Sequence, residues 1–270
     1  MFKSNRNEYY RNEDFDLNVT YTGSLVPSKG FHVLAKEWKH IIKKVPNAKL
    51  NIIGSGKLYD RNSRMGKYGI AEEAYESTFL TYITDDEGNL LNSINFCGVL
   101  GQEKHEIYRN TAVGVVNPTG KTETFGLSAV EMEACGIPIV TKAANGLLDT
   151  VVHNKTGLLS HTGTQLRKNI IKLLKDKNLN NSLGKQARVF VEKFEPEIII
   201  KEWMILFTES FQNQEIEYHK PINNFSNNLK WLRITNRKLN NAKGKGDFPS
   251  VIDLETFVSL YIRRLKKVFR

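Results

Sequence analysis

The stretch from Val113 to Thr141 constrains this chain more than any other. Val113-Gly-Val-Val-Asn117 is a short apolar run suited to a buried strand, and Ile137-Pro-Ile-Val-Thr141 is a second. Between them lies PTGKTETFGLSAVEMEACG, a polar loop followed by a mostly apolar helical segment. Strand, loop, helix, strand is the right-handed crossover of a parallel sheet. Ligands of such sheets bind outside the carboxyl ends of the strands, which is where this loop must lie.

Two glutamates frame that loop. Glu123 sits in it, and Glu131 is expected about two turns into the helix. At about 100° per residue, Glu131 returns to within about a quarter turn of Glu123, so both carboxylates are expected to face one cleft. Thr122 or Thr124 is expected to cap the helix. The amides of Thr124 to Leu127 would then point outward with the positive end of the helix dipole, a setting that binds phosphate. A single helix glutamate usually belongs to a solvated face. Glu131, however, is flanked by Ala129, Val130, Met132, Ala134 and Cys135. A carboxylate among such neighbours needs a partner, either protein or ligand.

Upstream, Asn18-Val-Thr-Tyr-Thr22 alternates as a strand and runs through Gly23-Ser-Leu-Val-Pro-Ser-Lys-Gly30 into an amphipathic helix, Phe31 to Lys44. A glycine turn at a helix start exposes amides to phosphate. Lys29 is there either a point charge for a diphosphate or a solvated loop lysine. Ala48 to Ile53 reads as a strand and Gly54-Ser-Gly56 as a glycine turn; the third glycine and the acidic ribose ligand of a dinucleotide fingerprint are missing. Residues 57–92 hold a charged helical stretch, Ala71 to Tyr82, and a turn at Asp85 to Gly88, and are expected to decorate the cleft rim. Ser93 to Cys97 is a further strand, followed by the loop Gly98-Val-Leu-Gly101. Gln102 to Asn110 is expected to be a packing helix with exposed charges. From Thr164 to Gln212, apolar residues recur at helical spacing in about three helices, expected to cover one sheet face.

Pro118-Thr-x-x-x-Glu-x-Phe-Gly-Leu127, then Glu131, then Ala134-Cys-Gly-Ile-Pro-Ile-Val140, resembles the signature of retaining glycosyltransferases of the GT-B fold, the large family four. The likeness extends from roughly Val19 to Phe211. It implies a nucleotide-sugar site in which Glu123 contacts the donor sugar and Glu131 grips the ribose hydroxyls. Lys29 matches the lysine of the family's Gly-Arg-x-x-x-x-Lys-Gly segment and would bind donor phosphate beside Gly23 and Ser24. Ser24 departs from the usual arginine, offering a neutral hydrogen bond in place of a bidentate fork. Gly54 and Gly56 would let backbone approach the nucleotide, and the loop at Gly98 and Val99 would lie against the base. Thr124, Phe125, Gly126 and Leu127 would shape the turn that presents the amides. The later run Asn145 to Leu159 resembles the family's Gly-Gly-x-x-Glu-x-Val … Thr-Gly-Leu-Leu, with departures at Asn145 and Asp149.

The resemblance further implies retention of configuration, no divalent metal and no other cofactor. The leaving diphosphate would then be met by Lys29, helix-start amides and Lys121. The expected architecture is α/β: a doubly wound Rossmann-like parallel sheet of five or six strands, one half of a GT-B fold, with a helical C-terminal extension. The acceptor would be a glycan, a lipid-linked molecule or a small molecule, with its site on a separate domain or chain. The competing expectation is a non-catalytic nucleotide-sugar-binding or scaffolding subunit.

The 270 residues allow one large domain or two small ones. No run of about 18 apolar residues occurs, and the first residues lack an apolar signal core, so a cytoplasmic place is expected. Cys97 and Cys135 lie in apolar contexts, are expected to be buried reduced thiols, and form no metal pattern with the six histidines. The formal charge of +10 is uneven: residues 215–270 hold 12 Lys or Arg and 5 Asp or Glu, which leaves only +3 for the rest. The division expected is a lead-in at 1–16, a nucleotide-sugar-binding domain at 17–212, a flexible Asn/Lys/Gly linker at 213–250, and a basic amphipathic helix at 251–270. That last helix suits the anionic inner face of a membrane, or docking on a partner domain. No nucleic-acid-binding module or aromatic platform is present, so nucleic acid is not an expected partner.

Overall fold

The apolar runs pair as the strands of one parallel sheet in a computed structural model, which describes residues 10–12, 14–57, 64–212 and 235. In chain order the strands are β1 (Asn18–Thr22), β2 (Lys49–Ile53), β3 (Ile94–Gly98), β4 (Thr111–Val116), β5 (Ile139–Lys142) and β6 (Gly157–Ser160). Their spatial order is β3-β2-β1-β4-β5-β6. All six residues of β4 are buried, as a central strand covered on both faces requires. The order reverses between β1 and β4, and that crevice is the topological switch point where open α/β sheets bind ligands.

Side chains alternate along the strands and feed two cores. Tyr21 of β1, Leu50 and Ile52 of β2, and Val113 and Val115 of β4 pack against α1 (Phe31–Lys44) and α7 (Gly163–Lys175), chiefly through Phe31, Leu34, Trp38 and Ile41 on one side and Leu166, Ile170 and Leu173 on the other. On the opposite face, Ile53, Val116, Ile139 and Leu159 meet α4 (Lys104–Arg109), α5 (Leu127–Ala134) and α6 (Leu147–Thr150) through Tyr108, Met132 and Leu147.

The insertion does more than decorate a rim. Its short helices α2 (Glu73–Glu76) and α3 (Leu80–Ile83) send Tyr75, Phe79 and Ile83 into the first core, with α3 packed on α1. Buried Glu76 fastens it from inside, accepting from the amides of Tyr68, Ile70 and Ala71 at 2.8, 2.9 and 3.1 Å. The end of the expected lead-in is also docked: buried Arg11 donates to Ala112 O at 3.1 Å and Asn180 Oδ1 at 2.6 Å, and lies 3.9 Å over the Phe15 ring. Three helices follow β6, but they do not act alike. α7 and α8 (Lys177–Phe190) pack on the domain, whereas α9 (Pro196–Phe211) buries no residue and leaves Ile200, Trp203, Met204, Phe207 and Phe211 exposed. Its apolar residues run all round the helix, so spacing alone could not choose a buried face. Cys135 is buried and Cys97 only half-buried, and both are free.

By its contacts the chain divides after Phe225, and every element named here belongs to the first unit. The expected linker at 213–250 and basic helix at 251–270 lie outside the described residues, apart from Thr235. Among the described residues, no helix is long and apolar enough to cross a membrane.

Candidate functional site

A cavity of about 290 Å3 opens at the switch point. Its wall is built from three pieces of chain. The end of β1 and the glycine turn supply Tyr21, Thr22, Gly23, Ser24 and Lys29; the end of β4 and its loop supply Val116, Asn117 and Glu123; the start of α5 supplies Gly126, Leu127 and Ser128. Among these residues Lys29 is the one cation.

At its centre, Lys29 Nζ meets Glu123 Oε2 at 2.8 Å, with the two side chains 24% and 12% exposed. Glu123 Oε2 also accepts from Asn117 Nδ2 at 3.0 Å. Two donors therefore fall on one carboxylate oxygen, and among the described residues Oε1 is left to accept from whatever enters the cavity. A carboxylate accepts only, so the complementary ligand group is a hydroxyl or N–H donor.

Asn117 is the residue that the sequence argument missed. It is 1% exposed with φ +36°, and its amide is fully engaged: Nδ2 donates to Lys121 O (2.9 Å) and to Glu123, while Oδ1 accepts from Gly120 N (3.1 Å) and lies 2.8 Å from Thr119 Oγ1. Its signal was present in the chain, since an Asn at the end of a buried strand is among the few side chains that accept positive φ cheaply.

The loop is tied from outside as well. Thr119 Oγ1 donates to Ser28 O at 2.6 Å, Asn145 Nδ2 to Gly120 O at 2.7 Å, and the Gly146 amide to Glu123 O at 3.1 Å. Asn145, a departure from the family's glycine, keeps the positive φ that glycine would allow, at +51°. From beneath, Tyr21 donates its hydroxyl to Lys29 O at 3.1 Å. Burial first, then Tyr75 and Glu123, push that phenol well above its usual range, so it stays a neutral donor.

The expected helix cap is corrected here. Neither Thr122 nor Thr124 caps α5; Gly126 occupies the N-cap at φ +89° with no side-chain bond, and Thr122 itself is at φ +55°. A left-handed cap requires glycine, and the helix therefore begins one residue later, at Leu127.

The expectation that both glutamates face one cleft is also changed. Glu131 is the fifth residue of α5, not two turns in, and it does not line the cavity. It lies one turn beyond Leu127 and Ser128, which do. Its Oε2 accepts from Lys104 Nζ of α4 at 2.7 Å, and each side chain is 16% exposed. The helix from Gln102 to Asn110 thus presents an inward charge, where exposed charges were expected. Tyr108 of the same helix joins the two places: its hydroxyl is 3.2 Å from Thr22 Oγ1, and burial, with a further push from Glu131, raises its pKa. Cys135 is likewise pushed up to about 12 by burial and by Glu131, which makes it an inert thiol.

Of the other candidate residues, Gly23, Ser24, Gly126 and Leu127 line the cavity, and Gly54, Gly56, Gly98, Val99, Thr124 and Phe125 do not. Gly54 serves the architecture of the wall: a Cβ there would lie 2.0 Å from Gly23 O, so only glycine lets the two turns touch. Gly56 lies against the Ala71 backbone. Gly98 accepts from the Gly54 amide at 2.7 Å, and Val99 is exposed at the edge strand. Phe125 packs edge-on against Phe194 at 5.1 Å. Among the described residues, no group of three or more His, Cys, Asp or Glu is placed to hold a metal ion.

The sheet order and the loop-to-helix site define a Rossmann-like α/β domain with a ligand crevice at its switch point. The family model described as glycosyl transferases group 1 matches residues 5–190, and the chain belongs to that family, the GT-B, family-four type of glycosyltransferase. The capsular polysaccharide biosynthesis glycosyltransferase CapM of Staphylococcus aureus is 28% identical over 211 residues, 77% of this chain and 50% of CapM. The structure of Anabaena HepE in complex with UDP and glucose superposes with a TM-score of 0.55 at 19% identity, covering 73% of this chain and 49% of HepE. The C-terminal domain of a glycosyl transferase group 1 family protein, LpcC of Francisella tularensis, gives 0.51 at 18% identity, covering 70% of this chain and 92% of that domain. The chain thus spans about half the length of curated relatives it matches.

Proposed function

We propose that this chain is the donor-binding half of a retaining glycosyltransferase, which moves a sugar from a nucleotide-sugar to a glycan, lipid-linked or small acceptor. The observation that carries this is the cavity at the β1/β4 switch point, where Lys29 and Asn117 both hold Glu123 Oε2 and leave its other oxygen to accept a hydroxyl. A sugar supplies such hydroxyls, and Lys29 beside it is placed for the diphosphate. Glu123 orients the donor sugar. Glu131, one turn along α5, holds the ribose. The charge of the leaving diphosphate falls to Lys29, the amides at the start of α5, and Lys121, in a site that needs no divalent metal. The acceptor site and the opposite wall of the cleft belong to a second domain or chain.

Ser24 favours a second reading. With a neutral hydroxyl where the family carries arginine, one cation serves the cavity, as would suffice for a nucleotide-sugar-binding subunit without transfer activity. The experiment that separates the readings is a thermal-shift and calorimetric panel of UDP, GDP, ADP and their sugar conjugates on the wild-type chain, followed by donor turnover. Binding of one nucleotide and its conjugate, with slow conjugate hydrolysis, supports the enzyme. Binding without turnover, even with the partner half supplied, favours the subunit. No binding of any of them overturns both.

A further inference from the structure

An ion pair, Lys104–Glu131, joins α4 to α5. We propose that Lys104 is a specificity-determining residue that joins Glu131 in reading a vicinal diol, so that the two side chains together select ribose over a deoxyribose. This rests on the reading of the site as one for a nucleotide-sugar.

A carboxylate alone offers only acceptors, and both hydroxyls of a diol would have to donate to it. Here Glu131 Oε2 is taken by Lys104 Nζ at 2.7 Å, which leaves Oε1 as its remaining acceptor. An ammonium carries three donors and spends one on Glu131. The pair therefore shows an acceptor and a donor side by side. Adjacent hydroxyls match that pattern when one donates and its neighbour accepts. A group with one hydroxyl missing leaves either a half-buried carboxylate oxygen or a half-buried ammonium N–H without its bond, and leaving a charged group unpaired costs more than a neutral bond gains.

The position of the pair supports this role over that of an ordinary helix-to-helix salt bridge. Both side chains are only 16% exposed, where a surface bridge would be open to water. Glu131 follows Ser128 by three residues and Leu127 by four, on the face of α5 that continues the cavity wall. Tyr108 of the same helix as Lys104 feels the Glu131 charge, and its hydroxyl lies 3.2 Å from the cavity residue Thr22. His105, beside Lys104, has its pKa lowered by burial first and then by the Lys104 charge, against an opposing pull from Glu131.

The test uses calorimetry on the full chain with UDP, GDP and ADP, each as the ribonucleotide and as its 2′-deoxy and 3′-deoxy forms. Wild type is expected to bind the ribo form of its nucleotide at least about tenfold tighter than either deoxy form. Lys104→Met should bring that ratio to within about threefold of unity, mainly by weakening the ribo form, and Lys104→Arg should restore most of it. A Lys104→Gln variant serves if the Met variant does not fold. Equal weakening of ribo and deoxy forms in Lys104→Met, with the ratio intact, makes Lys104 a structural counter-charge and overturns the inference. So does a wild-type ratio near one in a protein that binds its nucleotide well, an outcome that spares the nucleotide-sugar reading. Absence of binding by all ribonucleotides to wild type overturns that reading and this inference with it.

Discussion

Glu131 and Glu133 stand two residues apart on α5 and have opposite surroundings. Glu131 is partly exposed and paired with Lys104 of α4 at 2.7 Å. Glu133 faces inward, is 0% exposed, and neither of its carboxylate oxygens has a hydrogen-bond partner among the described residues. Burial pushes Glu133 well above the usual carboxylate range, against smaller opposing pulls from Thr156 and Lys193. Helical periodicity makes this split unavoidable, because residues two apart point about 200° from one another. One carboxylate is met by a cation from another helix. The other keeps its place by giving the charge up. A third, Glu123, lies on a loop that has no periodicity to aim it, and it needs two donors and three backbone ties from outside.

The largest effect expected on this contrast comes from the loop. Glu123→Ala should lower transfer by about 100- to 1,000-fold, as loss of a preorganised polar contact does, with nucleotide affinity within about twofold of wild type. Steady-state kinetics beside nucleotide calorimetry checks it, and a parallel fall in both would remove Glu123 from the sugar. Next, Asn117→Asp should cost transfer about 10- to 100-fold, because it removes the Nδ2 donor and sets a second carboxylate against Glu123. Asn117→Gly keeps the positive φ and loses only the amide, so comparing the two separates backbone from side chain.

On the helix, Glu131→Ala should weaken nucleotide binding by about tenfold or more, since Lys104 then competes for water in place of its partner. Equal affinity in mutant and wild type would sink the ribose assignment. The smallest effect concerns stability alone. A carboxyl whose folded pKa is raised contributes fully below its unfolded value, near 4.5, and that contribution is lost as pH rises toward the folded value. Thermal unfolding of wild type should therefore show a melting temperature that declines from pH 5 to pH 8. Glu133→Gln should flatten that slope and raise the melting temperature at pH 8 by roughly 2–4 °C, with nucleotide affinity unchanged. An unaltered slope would mean that Glu133 is ionised and paired in solution.

Much of this architecture was readable from composition and period. β1 and α1 fall on the residues their patterns marked, and the buried runs around Val113 and Ile139 became adjacent central strands. What the period could not supply was pairing across distance. Lys29 and Glu123 are 94 residues apart in the chain, and Lys104 and Glu131 are 27 apart, and nothing local to either announces the other. The charged face of α4 looked solvated because a lysine on a short helix usually is. The threonine cap failed because the helix starts at Leu127, behind Gly126 in a left-handed conformation, which leaves both threonines outside the cap position. Residues 196–211 gave a true helix but no true face, because their apolar side chains leave no polar side to turn outward.

The placement of β1 bears on the order in which this domain can be made. Among the strands of this sheet β1 comes first in the chain, yet its hydrogen-bonded neighbour across the crevice, β4, follows some 90 residues later, with Tyr21 set against Val115. Until that strand leaves the ribosome, the nascent chain holds the Lys29 turn with nothing facing it. The crevice therefore takes shape only once the chain has run from β1 through β4 to Ser128 at the start of α5. A ligand that bridges it would staple the longest-range seam of the sheet, so such a ligand added to a refolding chain should speed closure of this seam more than docking of the helices.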